Sequence, residues 1–262
     1  MDIFENIPAG LDRIKISNAI KFMKIDTDAI KIASSNASSL VFIPRYDKNV
    51  YQYFSSEIIS LRICEMMNIL SENPTVLCEL KMSKGFGKKS EKLLDETLEY
   101  NIFDYISRFE YCVVDDNIVV WEKILPMNSI QTDILPHFIE KNILKLLWDI
   151  GKALYGLHSK GYVHNDCRID NIGINNIGNF VLFDFDGTVQ EGERNISKLV
   201  DYKTLKESIE FVTGENMCEN MCKVGEAGTI MKSMIISLSE TMKLTRLEVF
   251  NMLENLQISH ID

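Results

Sequence analysis

The sequence lacks a long apolar run, has only four histidines and contains no CxxC pair of cysteines. No stretch approaches the ~18 uninterrupted apolar residues of a membrane-spanning helix, so we expect no membrane span. The first ten residues, MDIFENIPAG, are acidic and carry no apolar core, which predicts that no secretory signal is present. Few histidines and scattered cysteines disfavour a metal site built from these residue types.

The cysteines predict a reducing environment. Only Cys218 and Cys222, four residues apart, would share a face on a helix. We expect thiols in the core or on the surface and an intracellular, cytoplasmic protein. The six cysteines stand at positions 64, 78, 112, 167, 218 and 222.

The composition is that of an ordinary globular protein. The chain has 262 residues, of which 46% are hydrophobic and 25% charged, and this is enough for one large domain or two lobes. The net charge of −10 argues against non-specific binding to nucleic acid, because a polyanion repels an acidic protein. We find no internal repeat and no low-complexity tail.

The order of predicted elements favours an α+β chain of two lobes. Alternation predicts short strands in AIKFMKI, AIKIASS and SSLVFIPRY, and the stretch from Phe54 to Glu72 has helical spacing. Residues 75–107 predict a basic turn and then a helix. Two β-rich runs within 110–125 predict a hairpin, and a helix is predicted over 138–160. Residues 195–262 are predicted to be mainly helical.

One stretch carries most of the functional signal. HNDCRIDN, from His164 to Asn171, follows the long predicted helix, and thirteen residues after Asn171 a short predicted hairpin ends in DFD, at 184–186. This resembles the protein-kinase-like superfamily, whose pattern is H-x-D-x-x-x-x-N followed by D-F-G. The resemblance implies a bilobal fold, with a β-rich N-lobe over 1–124 and a mainly helical C-lobe over 125–262, in one kinase-like domain.

The resemblance also implies roles for these residues in phosphoryl transfer from ATP. Asp166 would orient the hydroxyl acceptor and accept its proton, while Arg168 would stabilise the transferring phosphoryl group. Asn171, Asp184 and Asp186 would hold Mg²⁺. His164 is interpreted as a support of the loop, Cys167 as a packing residue, and Asp201 as the helix residue that holds the loop.

In the N-lobe the resemblance leaves alternatives open. Glu122 to Leu125 would offer backbone groups to the adenine of ATP. Arg45 or Lys31 would take the place of the family's N-lobe lysine. The glutamate that forms an ion pair with this residue would be Glu57 or Glu65. No G-x-G-x-x-G loop precedes the first hairpin, and KGFGKKS at 84–90 is interpreted as a solvated basic turn.

Two other functions stay open. The missing Gly-rich loop and the uncertain lysine favour a pseudokinase that binds a partner or regulates without catalysis. The stretch VLFDFDGTV resembles instead the signature of haloacid-dehalogenase-type phosphatases, where Asp184 would be the nucleophile. That match is local, because the further acidic residues of such a site do not follow. The acceptor would be a Ser/Thr hydroxyl of a protein or a small molecule, and the sequence does not identify which.

Overall fold

The computed structural model describes residues 7–8, 10–25, 30–35, 38–82, 94–113, 117–193 and 196–213. Within these ranges lie four α-helices: α1 (Arg13–Phe22), α2 (Glu57–Glu72), α3 (Leu135–Ser159) and α4 (Leu199–Thr213). The strands of the same ranges are β1 (Ile30–Ser35), β2 (Ser39–Pro44), β3 (Asn49–Phe54), β4 (Thr75–Met82), β5 (Leu94–Asn101), β6 (Phe109–Val113), β7 (Ile118–Glu122), β8 (Leu125–Pro126), β9 (Tyr162–Val163), β10 (Ile172–Ile174), β11 (Phe180–Leu182) and β12 (Val189–Gln190).

The chain is a mixed α+β protein with mainly antiparallel sheets, which confirms the expected class. It divides into two compact units, Met1–Asn73 with Ser107–Ile124, and Pro74–Ile106 with Leu125–Asp262. No helix in the described part of the chain is long and apolar enough to cross a membrane.

The first unit is built on a five-stranded antiparallel sheet with the order β1-β2-β3-β7-β6. Because side chains alternate along a strand, β7 buries Ile118 and Val120 on one face and Val119 and Trp121 on the other. The hairpin predicted within 110–125 is confirmed, since β6 and β7 pair antiparallel. Both faces of the sheet are therefore apolar.

Helix α1 packs on the first of these faces. The prediction of a strand in AIKFMKI is wrong, because Ile16, Ala19 and Ile20 repeat at helical spacing and bury against the sheet. The helix begins where the carboxylate of Asp12 accepts hydrogen bonds from two backbone amides of the first turn, each 3.0 Å long. A window that begins at Ala19 misses both the cap and the first apolar turn.

Helix α2 lies where the spacing predicts a helix and buries a side made of Ser60, Ile63, Met66, Met67 and Leu70. It is also linked covalently to the sheet, through a disulfide between its own cysteine and one of β6, whose Cα atoms are 6.3 Å apart. The expectation that all cysteines are thiols is thus wrong for Cys64 and Cys112. The pairing depends on two elements 48 residues apart in sequence, which spacing alone does not reveal.

The second unit is organised by the 25-residue helix α3. Its predicted apolar stripe is confirmed, because all five residues are buried, namely Ile143, Leu147, Ile150, Leu154 and Leu157. The buried carboxylate of Asp149 accepts hydrogen bonds from Lys145 Nζ at 2.6 Å and from the backbone amide of Phe180 at 3.0 Å. Helix α3 thereby fixes the start of β11.

A long hairpin occupies the region that was expected to be helical. Strands β4 and β5 pair antiparallel over eight residues, from Thr75 opposite Asn101 to Met82 opposite Leu94. The prediction of a helix over the later part of 75–107 is therefore wrong, because strand pairing overrides the helix propensity of a Leu- and Glu-rich segment. The turn KGFGKKS and the helices expected beyond residue 213 lie outside the described residues.

The remaining strands of this unit are short and surround the HNDCRIDN loop. Strand β10 pairs antiparallel with both β11 and β8, and β9 pairs with β12. The hairpin predicted between the two motifs is confirmed as β10 and β11. A parallel bridge joins Ile106 to Leu182, and the amide of Leu182 donates to the carbonyl of Tyr105 at 3.0 Å.

The packing of α3 predicts opposite effects for two of its glycines. A Cβ at Gly156 would lie 2.5 Å from Ile102 Cδ1, a buried atom, whereas a Cβ at Gly151 meets nothing within 4 Å. We expect Gly156→Ala to lower the free energy of unfolding by about 1–3 kcal/mol through overpacking. We expect Gly151→Ala to raise it by about 0.5–1 kcal/mol through helix propensity. Urea unfolding of both variants measures the difference, and equal effects would contradict the tight packing at Ile102.

Candidate active site

The HNDCRIDN loop is anchored by one buried carboxylate. Asp201 of α4 is fully buried and accepts hydrogen bonds from His158 Nε2 at 2.8 Å and from the backbone amides of His164 at 3.0 Å and Asn165 at 2.7 Å. The expected contact between Asp201 and this loop is confirmed. The contribution of His158, at the end of α3, was not predicted from the sequence.

His164 links the loop to the DFD segment. Its Nε2–H donates to the carbonyl of Phe183 at 3.0 Å, and its Nδ1 accepts from the amide of Asp166 at 3.3 Å. Complete burial lowers the pKa of His164, although the nearby charge of Asp201 opposes this. A neutral imidazole with these two bonds is a support of the loop, as the sequence indicates.

The carboxylate of Asp166 is bound by two side chains of its own loop. Arg168 donates from Nε to Oδ1 at 2.7 Å and from Nη2 to Oδ2 at 3.0 Å, in the paired geometry that a guanidinium favours. Asn171 donates from Nδ2 to the same Oδ2 at 2.8 Å and to the carbonyl of Asp166 at 2.9 Å. The amide oxygen of Asn171 is the atom of this side chain that could serve as a metal ligand.

The DFD segment follows β11 directly and is held beside this loop. The amide of Phe183 donates to the carbonyl of Asn171 at 3.0 Å, which places Asp184 next to the Asn171 turn. Burial raises the pKa of Asp186, and the negative charge of Asp166 raises it further. Asp166, Asn171, Asp184 and Asp186 therefore belong to one site of the second unit.

Two residues of this site adopt the left-handed conformation. Asn165 has φ 67° and Asp184 has φ 67° and ψ 70°, a region that costs a non-glycine residue about 1–3 kcal/mol. Asn165 is held by its amide bond to Asp201 and by a bond of 3.3 Å from its Nδ2 to the carbonyl of Gly187. Such conformations persist where the surroundings impose them, and they favour a functional role for the segment.

The donor set fits a magnesium ion shared with a phosphate. Among the described residues, no three His, Cys, Asp or Glu side chains form a group that could hold a metal alone. Mg²⁺ is typically bound by one or two carboxylates together with substrate phosphates. Asp184, Asp186 and the amide oxygen of Asn171 are donors of the types that such a site uses.

The structure does not bring the N-lobe candidates together. Arg45 lies in the turn after β2 with its guanidinium 5.6 Å from the ring centre of Tyr46, and Lys31 is exposed on β1. Glu57 and Glu65 are both exposed on α2, and no ion pair joins either to Arg45 or Lys31.

A buried glutamine lies on β3, the middle strand of the first unit's sheet, which sequence analysis missed. Gln52 lies on β3 and is 6% exposed, and its Oε1 accepts from Trp121 Nε1 at 3.1 Å. Gln52 and Trp121 lie on the opposite face of the sheet from the residues that pack against α1, and α2 contacts both of their strands. Strand β2 ends at Pro44 and β3 begins at Asn49, and the turn between them is the signal that would have revealed β3.

The hinge candidates differ in their backbone bonds. The amide of Glu122 donates to the carbonyl of Arg108 at 2.9 Å. This amide is therefore not available for a hydrogen bond to an adenine. Leu125 begins β8, opposite Ile174, with its side chain about half exposed.

Cys167 is buried in the loop, and its interpretation as a packing residue is confirmed. Burial raises its pKa well above the ordinary value, and the charges of Asp201 and Asp166 act in the same direction. A thiol in this environment stays protonated and is a poor nucleophile.

Comparison with known proteins adds no family to these observations. Neither the protein-family models nor the curated proteins contain a match to this chain.

The burial of His164 predicts a dependence of stability on pH. A pKa below the ordinary value of about 6.5 means that the unfolded chain takes up the proton first. This contribution to the free energy of unfolding is complete above about pH 6.5 and is lost as the pH falls through the folded pKa. We expect a decrease between pH 7 and pH 5 of at most about 1.4 kcal/mol per pH unit from this group.

Chemical denaturation of two variants across this range tests the assignment. His164→Asn should flatten the pH dependence, whereas His137→Asn, at an exposed position of α3, should leave it unchanged. An identical slope in the wild type and in His164→Asn would show that another group is responsible.

Proposed function

We propose that this chain is a Mg²⁺-dependent phosphotransferase of the protein-kinase-like fold that moves the γ-phosphoryl group of ATP to a hydroxyl. The observation that carries the proposal is the junction of the two motifs. Asn171 bonds to the Asp166 carboxylate through its side chain and accepts the amide of Phe183 through its carbonyl. One residue thus positions the candidate base and the candidate metal carboxylate.

The topology supports the same fold. The resemblance calls for a β-rich lobe with a helix that carries an acidic residue, ended by a strand that leads into the hinge. Along the chain, helix α2 of the first unit follows β3 and precedes β6. The last strand of this unit, β7, ends at Glu122. The long helix, the loop and the short hairpin then follow in the order that the resemblance requires.

In the proposed reaction each residue has a limited task. Asp166 orients the acceptor hydroxyl and takes its proton as the new bond to phosphorus forms. Asn171, Asp184 and Asp186 would hold Mg²⁺, which neutralises charge on the phosphates when it is bound. Asp201 and His164 do no chemistry but fix the loop that carries Asp166.

The phosphatase alternative receives less support. It makes Asp184 a nucleophile at the end of a central strand in a parallel sheet flanked by helices. Here β11 has three residues and pairs antiparallel with β10. The phosphatase interpretation also gives no role to the hydrogen bonds that Asn171 and Arg168 donate to Asp166.

A second candidate, a pseudokinase, is favoured by the first unit. The buried side of α2 carries no acidic residue, and the buried polar side chain of β3 is the neutral Gln52. Active members of the family carry a lysine in this lobe that contacts the α- and β-phosphates. Such a chain binds nucleotide weakly or without transfer. Intracellular placement and the lack of a nucleic-acid partner stay predictions.

Measurement of ADP formation with purified protein, Mg²⁺ and ATP separates the two candidates. We expect Asp166→Asn to lose about 10²-fold or more, because a positioned base contributes about 10²–10⁴-fold. Asp184→Asn should lose activity as well, through removal of a metal carboxylate.

Glu207→Gln is the control, since Glu207 lies on α4 of the same unit with a side chain that is 61% exposed. It should retain the wild-type rate. Equal ADP formation by the wild type and Asp184→Asn, or no binding of Mg²⁺-ATP at millimolar concentration, would reject the phosphotransferase in favour of the pseudokinase.

A further inference from the structure

The HNDCRIDN loop is fixed to α4 at a second point. The backbone amide of Ile169 donates to the hydroxyl oxygen of Ser208 at 2.9 Å. Asp201 and Ser208 are seven residues apart, close to two turns of a helix, so they lie on one face of α4 about 10 Å apart along its axis. Asp201 binds the amides at the start of the loop, and Ser208 binds an amide near its end.

The amide of Ile169 needs an acceptor outside its own turn. Ile169 begins the 3₁₀ turn Ile169–Asn171, and the first amides of a helical turn have no partner within it. Ile169 is buried, so this amide would be costly to leave without an acceptor. Serine is also a weaker helix former than alanine, so its hydroxyl stabilises the loop and not α4 itself.

The anchored turn carries the residue that joins the two motifs. Asn171 ends this turn, and its Nδ2 donates to Asp166 Oδ2 at 2.8 Å. Its amide donates to the carbonyl of Arg168 at 2.9 Å, and its carbonyl accepts the amide of Phe183 at 3.0 Å. A shift of the turn therefore moves the Asn171 side chain and the backbone that precedes Asp184.

We propose that Ser208 is a positioning residue of the candidate site, which acts through the Ile169–Asn171 turn and sets where Asn171 presents its amide oxygen. Asp201 fixes the loop before Asp166, and Ser208 fixes it after Asp166. The consequence for Mg²⁺ rests on the proposed phosphotransferase function, whereas the placement of the turn does not.

Loss of the Ser208 hydroxyl should change the magnesium requirement more than the proton transfer. Asp166 keeps its two hydrogen bonds from Arg168 and the anchor that Asp201 provides at Asn165. Asn171, in contrast, loses the support of its turn. Mg²⁺ demands near-ideal octahedral geometry, so a displaced amide oxygen weakens its binding.

ADP formation at varied Mg²⁺ concentration tests this role. We expect Ser208→Ala to raise the Mg²⁺ concentration at half-maximal rate by about tenfold, the lower end of the effect of groups that orient a metal ligand. Ser208→Thr keeps the hydroxyl and should restore the wild-type value, and Glu207→Gln, at an exposed neighbouring position, should not change it. An unchanged Mg²⁺ requirement in Ser208→Ala, or an equal change in Ser208→Thr, would overturn the proposal.

Hydrogen exchange of the full chain without nucleotide gives a readout that does not depend on turnover. The Ile169 amide should exchange about tenfold faster in Ser208→Ala, because it loses its acceptor, and at the wild-type rate in Ser208→Thr. The amides of His164 and Asn165 should keep their rates, since Asp201 holds them. Unchanged exchange of Ile169 would overturn the inference. If Ile169 responds as expected while the wild type forms no ADP, the phosphotransferase fails and the anchor at Ser208 stands.

Discussion

The candidate site depends on the buried carboxylate of Asp201. Three donors from two elements converge on it, the imidazole of His158 and the amides of His164 and Asn165. A buried charge without partners would cost several kcal/mol, so the loop cannot leave Asp201 without leaving that charge unsatisfied. The left-handed conformation of Asn165 persists for the same reason.

The sequence predicted the elements around the HNDCRIDN loop well because they are local. A long amphipathic helix, a loop and a short hairpin follow each other directly, and α3, β10 and β11 lie where the periodicity places them. Asp166, Asn171 and Asp184 meet because only a short hairpin separates their segments. His158 was missed, since a lone histidine on a helix has no signal for its partner 43 residues later.

Several segments before residue 125 were predicted less well. α1 was mistaken for a strand, the β4–β5 hairpin for a helix, and Cys64 for a thiol. In each case the deciding partner lies elsewhere in the chain, or the pattern was sampled over too short a window. Gln52 became visible only once the bounds of β3 were known.

The two units therefore carry unequal chemical information. The second brings three aspartates and one asparagine together near Arg168, while the first presents an apolar helix face and a glutamine bonded to Trp121. Charge stabilisation in the proposed reaction then has to come mainly from Mg²⁺ and from the second unit. A chain built in this way is expected to bind nucleotide weakly in the absence of the metal.

If Asp201 sets the geometry of the loop, its replacement should change the hydrogen exchange of the loop amides. Asp201→Asn replaces an acceptor oxygen by a donor opposite three existing donors. The His164 and Asn165 amides should then exchange about tenfold faster or more, because a buried donor left unsatisfied costs about 1–3 kcal/mol. Glu207→Gln, at an exposed position of the same helix, should leave both rates unchanged. Unchanged exchange of the His164 and Asn165 amides in Asp201→Asn would show that Asp201 does not set the geometry of the loop.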